Sequence, residues 1–498
     1  MPCNLFTHFC EQIAPLPAAV SSYRMNLSRI RAALEEARVH PIKTLGQNFL
    51  HDRNLSHWIV TQAEIGPDDF ILEIGPGLGA LTEEILSRGA YVLAIEKDAR
   101  LVEFLRRKFR DSRFEIRHGD ALKFDTRALF AERNVKLLGN LPYYIASQLL
   151  VRFVDYPSAI SMALLMLQDE MARRIAANPS SADYGALTLR MQLHHRIEYL
   201  RKIPNTVFFP KPEVASAVVR ITPRLPREVN LCDPVMFRRI VGRGFSQRRK
   251  QLRKLLRDCV DDWETAAKTV GVLPSARAEE LSLGQWIALA NLIRPSDEKA
   301  AAVLAEERFP VVDEFDRKIR DATRKEVHEN NLRHRAIHIL IFNQKGEVLL
   351  QKRSPWKDRH PSLWDSSAAG HVSVDEAYDT AARRELAEEL GVETELKRVG
   401  KISASERTGE EFIWVYSGQS QGPFHFPRDE IDAVQFFPLE LVDKWNVQKP
   451  EEFAPGFREC WAIWRENSLV ERKKYSRPRE STSEALSNPA AADSTPAI

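Results

Sequence analysis

One stretch near residue 75 constrains the fold more than any other part of the chain. Phe70–Leu72 is a short apolar run, Gly75, Gly77 and Gly79 follow it, and apolar residues return at helical spacing from Ala80. Glycines let the backbone turn sharply and approach a ligand closely. A strand, a glycine loop and a helix in this order form the first unit of a doubly wound sheet. The sequence therefore predicts an α/β fold built from βαβ units.

The loop alone leaves the identity of its ligand open. The spacing Gly75-x-Gly77-x-x-Ala80 also fits a dinucleotide fingerprint, and Glu96 ends the next apolar strand, Tyr91–Ile95. An acid at that position can hold the ribose hydroxyls of a dinucleotide or of S-adenosylmethionine. The alternative is an ordinary strand-to-helix turn that binds no ligand. The glycine loop together with Glu96 favours a nucleotide-like cofactor.

Length and composition limit the class of protein. The 498 residues are too many for a single core, and 44% apolar with 28% charged residues is typical of a soluble globular protein. The net charge of +3 requires any nucleic-acid surface to be local. No apolar run is long enough to span a membrane, and no secretory signal is recognisable. Five scattered cysteines favour a reducing compartment, so we expect a cytoplasmic protein with no membrane partner.

Changes of pattern along the chain predict its domain organisation. Apolar strands alternate with helical patterns in the first half, a helical stretch follows, and a second α/β pattern begins after a polar connection. Met25 offers an alternative start. The predicted segments are a disordered extension at 1–24, a Rossmann-like domain at 25–225, a small helical RNA-binding subdomain at 226–294, a linker at 295–307, an α/β/α domain at 308–470 and a disordered tail at 471–498.

A second motif lies at the carboxyl end of the strand Lys136–Leu138, where open α/β sheets bind ligands. The chain there reads Asn140-Leu-Pro-Tyr143. Asn140 offers a donor and an acceptor, the proline fixes the Leu141 carbonyl, and Tyr143 offers a ring for stacking. Two acceptors could orient an exocyclic adenine amine for attack on a sulfonium methyl, so that positioning carries most of the rate. Taken alone, the tetrapeptide is better explained as a strand-end turn with a buried asparagine. As a candidate adenine site, it opposes an NAD-binding enzyme.

Many ordered motifs together resemble the small-subunit rRNA adenine N6,N6-dimethyltransferases, over about Asn26 to Arg294. The motifs are Gly46-Gln-Asn-Phe-Leu50, Glu73-Ile-Gly-Pro-Gly77, Glu96, Gly119-Asp120-Ala121, Asn140-Leu-Pro-Tyr143, Gln168-x-Glu-x-Ala-x-Arg174, Tyr184-Gly185, Val207-Phe-x-Pro-x-Pro212 and Phe245-Ser-Gln-Arg-Arg-Lys250. The resemblance implies S-adenosylmethionine as cofactor. It also implies two adjacent adenines near the 3′ end of 16S rRNA, in the small ribosomal subunit, as substrate.

The resemblance also implies roles for individual residues. Glu96 is expected to hold the ribose, Asp120 the adenine ring and Asn140 the target amine, with Leu141 in the same catalytic motif. Tyr143 and Phe208 are expected to stack around the extruded base. The remaining cofactor contacts are expected from Asn48, Leu50, Gly75 and Gly77. Glu213-Val-Ala215-Ser216 departs from the family pattern, which puts the expected RNA contacts in doubt and leaves the expected cofactor residues untouched.

A related family dimethylates large-subunit rRNA, but Arg277-Ala-Glu-Glu-Leu-Ser282 with Leu289-Ala-Asn291 resembles the small-subunit enzymes. Phe245–Leu256 is expected to be the clearest helix of its region. Arg248–Arg257 carries six positive charges in ten residues, which predicts a phosphate-contacting face that includes Arg248, Arg249 and Lys250. A solvated surface helix is the alternative.

The second half carries a different chemistry. Glu385, Glu388 and Glu389 lie at i, i+3 and i+4 of a predicted helix, Ala377–Leu390, so one face would carry three carboxylates. Like charges so placed suit Mg²⁺ or Mn²⁺. Arg384 could brace a neighbouring carboxylate. The alternative is an ordinary glutamate-rich surface helix.

Gly370 and Glu376 at fixed distances complete a pattern that resembles the Nudix box, within a region of resemblance from about Arg308 to Arg465. The resemblance implies a metal-dependent hydrolase of a small-molecule diphosphate, with Glu389 among its catalytic residues. Lys352 and Arg353 are candidates for holding phosphate oxygens. Nearby motifs resemble a branch close to isopentenyl diphosphate isomerases, whose catalytic cysteine is replaced here by Ala369, so hydrolysis is favoured over isomerisation. The alternative for the whole chain is a ribosome-assembly RNA-binding factor with one or both sites idle.

Overall fold

The structure, a computed structural model, describes residues 27–41, 47–154, 157–224, 228–229, 234–293, 307–355, 357, 359–428 and 430–475. The chain forms two compact units, Met1–Ile293 and Arg294–Ile498, which are described separately below. The predicted extension at 1–24 and the predicted linker, apart from Glu307, lie outside the described residues. The last helix continues to Tyr475, so the first five residues of the predicted tail are helical, and the rest of the tail lies outside the described part.

The first unit alternates strands and helices up to residue 223 and is helical thereafter. Its strands are β1 (Phe49–Leu50), β2 (Phe70–Ile74), β3 (Tyr91–Glu96), β4 (Phe114–His118), β5 (Val135–Asn140), β6 (Met162–Gln168), β7 (His195–Ile203), β8 (Phe208–Phe209) and β9 (Ser216–Pro223). Its helices are α1 (Leu27–Glu36), α2 (Arg53–Gln62), α3 (Ala80–Ser87), α4 (Ala99–Lys108), α5 (Ala146–Val154), α6 (Asp169–Ile175), α7 (Ala186–His194), α8 (Pro234–Gly244), α9 (Leu252–Leu255), α10 (Trp263–Val270) and α11 (Leu283–Ile293).

Seven of these strands form one sheet in the order β4-β3-β2-β5-β6-β9-β7. The pairs among β2 to β6 are parallel, and β9 is antiparallel to both β6 and β7. Both faces of the sheet are covered: Ile71 belongs to one apolar core, and Leu72 belongs to the other. Burial on both faces explains why the central strands are continuous apolar runs. The predicted Rossmann-like sheet is therefore confirmed.

The helical region differs from the prediction in one respect. Phe245–Leu256 is not a continuous helix: it consists of a 3₁₀ turn, a turn through Arg248–Lys250 and the single-turn helix α9. The main-chain N–H of Leu252 donates to Ala276 O (2.9 Å), which draws the chain away from a helical path before α9. The prediction of one long helix was wrong because Gln251 forms an antiparallel bridge with Arg277, which interrupts the helix before α9.

The second unit has a seven-stranded mixed sheet, a separate two-stranded sheet formed by its first two strands, and four helices among the described residues. Its strands are β10 (Arg308–Val312), β11 (Lys318–Thr323), β12 (His334–Phe342), β13 (Val348–Arg353), β14 (Trp364–Asp365), β15 (Ala368–His371), β16 (Lys397–Ile402), β17 (Glu411–Gln419) and β18 (Ile431–Phe437). Its helices are α12 (Arg324–Glu329), α13 (Tyr378–Leu390), α14 (Leu439–Gln448) and α15 (Pro455–Tyr475).

Strand β12 is central to this second sheet. It pairs parallel with β17 and antiparallel with β13 and β15. The hairpin predicted at Asn343–Gly346 joins β12 to β13, and Gly346 adopts the left-handed φ of +75° that the turn requires. Helix α13 packs Leu386 and Leu390 onto this sheet, in a core with Ile337. The opposite side of α13 is thereby left to face β15 and a cavity.

Candidate functional sites

The glycine loop after β2 is built for close approach. Gly75 and Gly77 have φ values of +65° and +58°, which side chains rarely allow. A Cβ atom on Gly77 would lie 3.0 Å from the Phe49 ring. The backbone conformation therefore disfavours side chains at both glycines, and at Gly77 the Phe49 ring also leaves little room for one.

Glu96 ends β3, and Asp120 follows the end of β4 by two residues. Glu96 is buried, and its carboxylate accepts main-chain hydrogen bonds from Lys97 (2.8 Å), Asp98 (3.0 Å) and Gly77 (3.3 Å). Burial raises the pKa of Glu96 despite these bonds. Asp120 accepts a bond from Lys97 Nζ (2.9 Å), and this contact lowers the pKa of Asp120. Lys97, which sequence analysis did not single out, thus positions the second acid.

Asn140 ends β5 and lines the same cavity as Glu96 and Asp120. Its Nδ2 donates to the main-chain oxygen of Asn48 at 3.0 Å. One cavity brings together the predicted cofactor residues, namely Asn48, Gly75, Gly77, Glu96, Asp120 and Asn140, and Gln47 also lines it. These residues fit S-adenosylmethionine, because the cavity combines a glycine-rich loop, two acids and an amide at the ends of parallel strands.

Other predicted residues occupy different places. Leu50, Leu141 and Phe208 are buried in the apolar cores, with Phe208 only 3% exposed. Tyr143 shares a 2.6 Å hydrogen bond with Ser216 Oγ. None of these four side chains is among the described residues that line the cofactor cavity. Their contacts to cofactor or base therefore stay predictions, and a stacking role for Phe208 would require its ring to leave the core.

The first three basic residues of the segment, Arg248–Lys250, lie in an exposed turn rather than on a helix face. Arg249 and Lys250 are exposed. Arg248 makes an ion pair with Glu279 and also donates to Ser181 O (3.1 Å). The three positive charges are therefore not equivalent, because Arg248 also connects separate parts of the unit.

In the second unit, strand β15 lies directly against the carboxylates of α13. The N–H of Ala369 donates to Glu389 Oε2 at 2.9 Å. A Cβ atom on Gly370 would lie 2.0 Å from the Glu385 carboxyl carbon, so only glycine fits there. The glycine of the motif is thus explained by packing against Glu385.

Arg384 holds the acidic groups together. Its guanidinium donates to both carboxylate oxygens of Glu376 (3.0 and 2.9 Å), to Glu385 (2.8 Å) and to Glu388 (3.0 Å). It also donates to the main-chain oxygen of His371 (3.1 Å). Arg384 thereby links the loop, the helix and strand β15, as the sequence predicted in part.

Burial in this arrangement raises the pKa values of two acids, Glu389 and Glu385. Burial, followed by the repulsion of Glu385, raises the pKa of Glu389 to about 8. Burial raises the pKa of Glu385 to about 7, although Arg384 opposes the shift. Oxygen ligands held close together against their mutual repulsion fit a divalent cation of the Mg²⁺ type.

A cavity of about 440 Å³ opens beside these acids. Glu385, Glu388 and Glu389 line it, together with the positively charged Arg324, Arg353, Lys357 and Arg359. Lys352 is not among the described residues that line the cavity, since its Nζ lies over the Trp364 ring (5.2 Å). The expectation for Lys352 fails because the next residue on a strand points to the opposite face.

The same cavity reaches a group of residues that sequence analysis gave no role. Ligand atoms of His328, His334 and His371 lie within 4.8 Å of one another, and Glu411 lies beside them. Burial lowers the pKa of His371 to about 3. Against the effect of burial, His334 and His371 hold the pKa of Glu411 well below its usual range. His371 and Glu411 lie far along the chain from His328 and His334, so local spacing did not bring the four residues together.

Among the described residues, no helix has the length and apolarity needed to cross a membrane. The fold and the two cavities define a chain with a Rossmann-like methyltransferase domain followed by a Nudix-type domain. The family model described as ribosomal RNA adenine dimethylase matches residues 41–294, and the NUDIX domain model matches residues 332–457. The chain belongs to the ribosomal RNA adenine dimethylase family and carries a Nudix domain, so both halves are of enzymatic type.

Each of the following proteins covers at most half of this chain. A ribosomal RNA small subunit methyltransferase A from Pseudomonas aeruginosa is 40% identical over 253 residues, which are 50% of this chain and 93% of that protein. A dimethyladenosine transferase from Plasmodium falciparum is 22% identical with a TM-score of 0.42, covering 48% of this chain and 95% of that one. A MutT protein from Methanosarcina mazei is 21% identical with a TM-score of 0.24, covering 28% and 94%.

Proposed function

We propose that the first unit transfers methyl groups to the N6 amines of two adjacent adenines near the 3′ end of 16S rRNA, in the small ribosomal subunit and therefore in the cytoplasm. The observation that carries this proposal is the meeting of Glu96, Asp120 and Asn140 with the glycine loop in one cavity. The similarity to small-subunit methyltransferases supports the choice of substrate.

Each residue has a distinct task in this proposal. S-adenosylmethionine supplies the electrophilic methyl group when it is bound. Glu96 accepts hydrogen bonds from the ribose hydroxyls, and Asp120 accepts one from the adenine of the cofactor. Asn140 and the Leu141 carbonyl accept hydrogen bonds from the target amine and orient its lone pair toward the methyl group. Because no strong base is required, orientation within the cavity supplies most of the acceleration.

Methylation of ribosomal subunits tests this proposal. Undermethylated small subunits are incubated with the full chain and methyl-labelled S-adenosylmethionine, and the RNA is digested to nucleosides. We expect labelled N6,N6-dimethyladenosine from small subunits and little from large subunits. Asn140→Ala should nearly abolish transfer while most cofactor affinity remains. Transfer at a near-normal rate by this variant would remove Asn140 from the site, and labelling of large subunits alone would contradict the substrate.

We propose that the second unit is a Mg²⁺- or Mn²⁺-dependent hydrolase of a small-molecule diphosphate. Glu385, Glu388 and Glu389 would hold the ion, which lowers the pKa of water and neutralises phosphate charge when it is bound. Arg353 and Arg359 at the cavity wall would contact phosphate oxygens. This assignment is supported by the braced carboxylate set and by the match to the NUDIX domain.

A set of nucleoside and non-nucleoside diphosphates, incubated with the full chain and Mg²⁺, tests the hydrolase proposal. Phosphate or nucleotide release should require the ion and should disappear in Glu389→Gln, which keeps nearly the same volume. The alternative function, a ribosome-assembly factor with idle sites, predicts rRNA binding without methyl transfer or hydrolysis. That outcome in both assays would replace the two-enzyme proposal.

A further inference from the structure

The side-chain amide of Asn140 is oriented by a main-chain atom of the first unit. Its Nδ2 lies 3.0 Å from the main-chain oxygen of Asn48. A carbonyl oxygen only accepts hydrogen bonds, so the atom that faces it must be the N–H₂ group and not Oδ1. Oδ1 therefore points away from Asn48, and it makes no hydrogen bond to a described residue. Asn140 thus lines the cofactor cavity with an acceptor that is still available.

The oxygen of Asn48 is itself held in place. Asn48 directly precedes β1, which pairs antiparallel with β8. The ring of Phe49, the next residue, packs so closely against the glycine loop that a Cβ atom on Gly77 would lie 3.0 Å from it. The acceptor for Asn140 therefore belongs to a two-stranded ribbon that packs on the glycine loop, and it is separated from Asn140 by 92 positions in the sequence.

The main chain around this amide is fixed as well. Asn140 pairs with Met166 in the parallel register of β5 and β6, and the N–H of Leu141 donates to Met166 O (3.2 Å). Rotation of the amide by half a turn would put Oδ1 against the Asn48 oxygen. That orientation loses the hydrogen bond and turns two acceptors toward each other, which lowers its population by roughly tenfold or more. The Asn48 oxygen therefore decides which atom of the amide faces the cavity.

We propose that the main-chain oxygen of Asn48 is a positioning group for methyl transfer, because it keeps Oδ1 of Asn140 directed at the target base. Oδ1 and the Leu141 carbonyl are then both acceptors, so the site favours a base with an amino group and disfavours one with a keto oxygen at the same place. A rotated amide would present N–H₂ and reverse that preference. This proposal rests on the proposed methyl transfer and assigns the choice of an amine to an atom outside the Asn140-Leu-Pro-Tyr motif.

The proposal requires a carboxamide, and not a carboxylate, at position 140. In Asn140→Asp the ionised side chain has no hydrogen to donate, so it faces the Asn48 oxygen with a negative charge. The titratable side chains that line this cavity among the described residues are Glu96, Lys97 and Asp120. The two acids repel a further carboxylate, and Lys97 Nζ is already bonded to Asp120 (2.9 Å). A protonated carboxyl group, in contrast, can donate its O–H to Asn48 and present its other oxygen to the amine, as the amide does.

The pH dependence of Asn140→Asp tests the proposal. Methyl transfer to undermethylated small subunits is measured for the full chain at saturating S-adenosylmethionine, and each variant is compared with the unchanged chain at the same pH. We expect the relative rate of Asn140→Asp to rise by roughly tenfold or more as pH falls from about 8.5 to about 5.5. Asn140→Ala should show no such rise. Asn134→Asp, at an exposed asparagine directly before β5, should match the unchanged chain throughout.

Calorimetric unfolding without cofactor gives a second measurement. An aspartate whose folded pKa is raised above its unfolded value of about 3.9 makes the variant lose stability, relative to the unchanged chain, as pH rises through the folded pKa. We expect this loss for Asn140→Asp and not for Asn134→Asp. If Asn140→Asp does not fold, hydrogen exchange of the ¹⁵N-labelled Asn140 side chain in the unchanged chain decides. Exchange much slower than at Asn134 would support the bond to Asn48, and equal exchange would overturn the proposal.

The outcomes separate this proposal from the proposed function. A relative rate of Asn140→Asp that stays constant or falls as pH falls, in a chain whose unchanged form is active, would overturn the positioning role alone. If the unchanged chain transfers no methyl group at any pH, the proposed function fails and the positioning role fails with it. A rise with falling pH that Asn140→Ala does not share would support both.

Discussion

The hydroxyl of Thr82 donates a 2.7 Å hydrogen bond to Oε2 of Glu73, inside the core beneath the glycine loop. Glu73 is only 1% exposed, and burial raises its pKa to about 7, with a further contribution from Glu96. Lys108 opposes this shift. Glu73 is therefore a buried acid whose ionisation affects the stability of the first unit.

The raised pKa of Glu73 predicts that the first unit loses stability as pH rises. The folded state binds the proton more tightly than the unfolded chain, whose pKa is near 4.5, so stability falls as pH rises from 4.5 through 7. The difference amounts to about 3 kcal/mol above that range. Glu73→Gln should remove this part of the pH dependence in calorimetric unfolding at pH 5 and pH 8. Glu103→Gln, at an exposed residue, should keep it.

Glu96 predicts a change in cofactor affinity. Loss of hydrogen bonds to a charged acceptor costs about 1.5–3 kcal/mol, so Glu96→Gln should weaken S-adenosylmethionine binding by roughly tenfold to a hundredfold. Glutamine nearly preserves the volume beside the loop N–H groups, which Glu96→Ala would not. Titration calorimetry measures the effect, with Glu115→Gln at an exposed residue as control. Unchanged affinity would exclude the ribose-binding role.

The basic turn predicts a salt dependence. Replacing Arg249 and Lys250 together by Ala should weaken rRNA binding. It should also reduce the slope of the logarithm of the association constant against the logarithm of the salt concentration by up to about two. Arg248→Ala should lower stability as well, because Arg248 contacts Glu279 and Ser181. Filter binding at several salt concentrations measures the slope, and Lys397→Ala on the other unit serves as control. An unchanged slope would make this turn an ordinary solvated surface.

We expect the two units to have independent activities. Each has its own sheet and core, so cleavage between residues 294 and 307 should give two folded fragments that keep their own chemistry. In the full chain, Glu389→Gln should abolish Mg²⁺-dependent hydrolysis and leave rRNA methylation intact. The two assays are run on one preparation of that variant. A parallel fall of both activities would mean that the sites are coupled.

Sequence patterns predicted secondary structure best for elements whose residues are buried along their whole length. The central strands and α13 follow from apolar runs and helical spacing, since both faces of the first sheet are covered. Strand β7 was missed because it is an edge strand with a largely polar sequence, His195–Ile203. Phe245–Leu256 was predicted as one helix because its sequence gives no sign of the hydrogen bond between Leu252 and Ala276.

The histidine group was inaccessible to sequence reasoning for a different reason. His334 and Glu411 are neighbours only through the parallel pairing of β12 and β17, and no local pattern predicts that register. Likewise, the burial of Phe208 depends on the pairing of β8 with β1, where Leu50 lies opposite it. Local motifs predicted the glycine loop and the glutamate helix, whereas contacts across the sheets required the structure.

Arg384 holds Glu376, Glu385 and Glu388 in place before any ion arrives. The side-chain entropy that such ligands would otherwise lose on metal binding has already been lost during folding. Metal uptake at this site should therefore proceed with a small change in heat capacity and without a slow conformational phase. An ion that enters a site prepared in this way can also exchange quickly, which suits a reaction in which each product leaves with negatively charged phosphate.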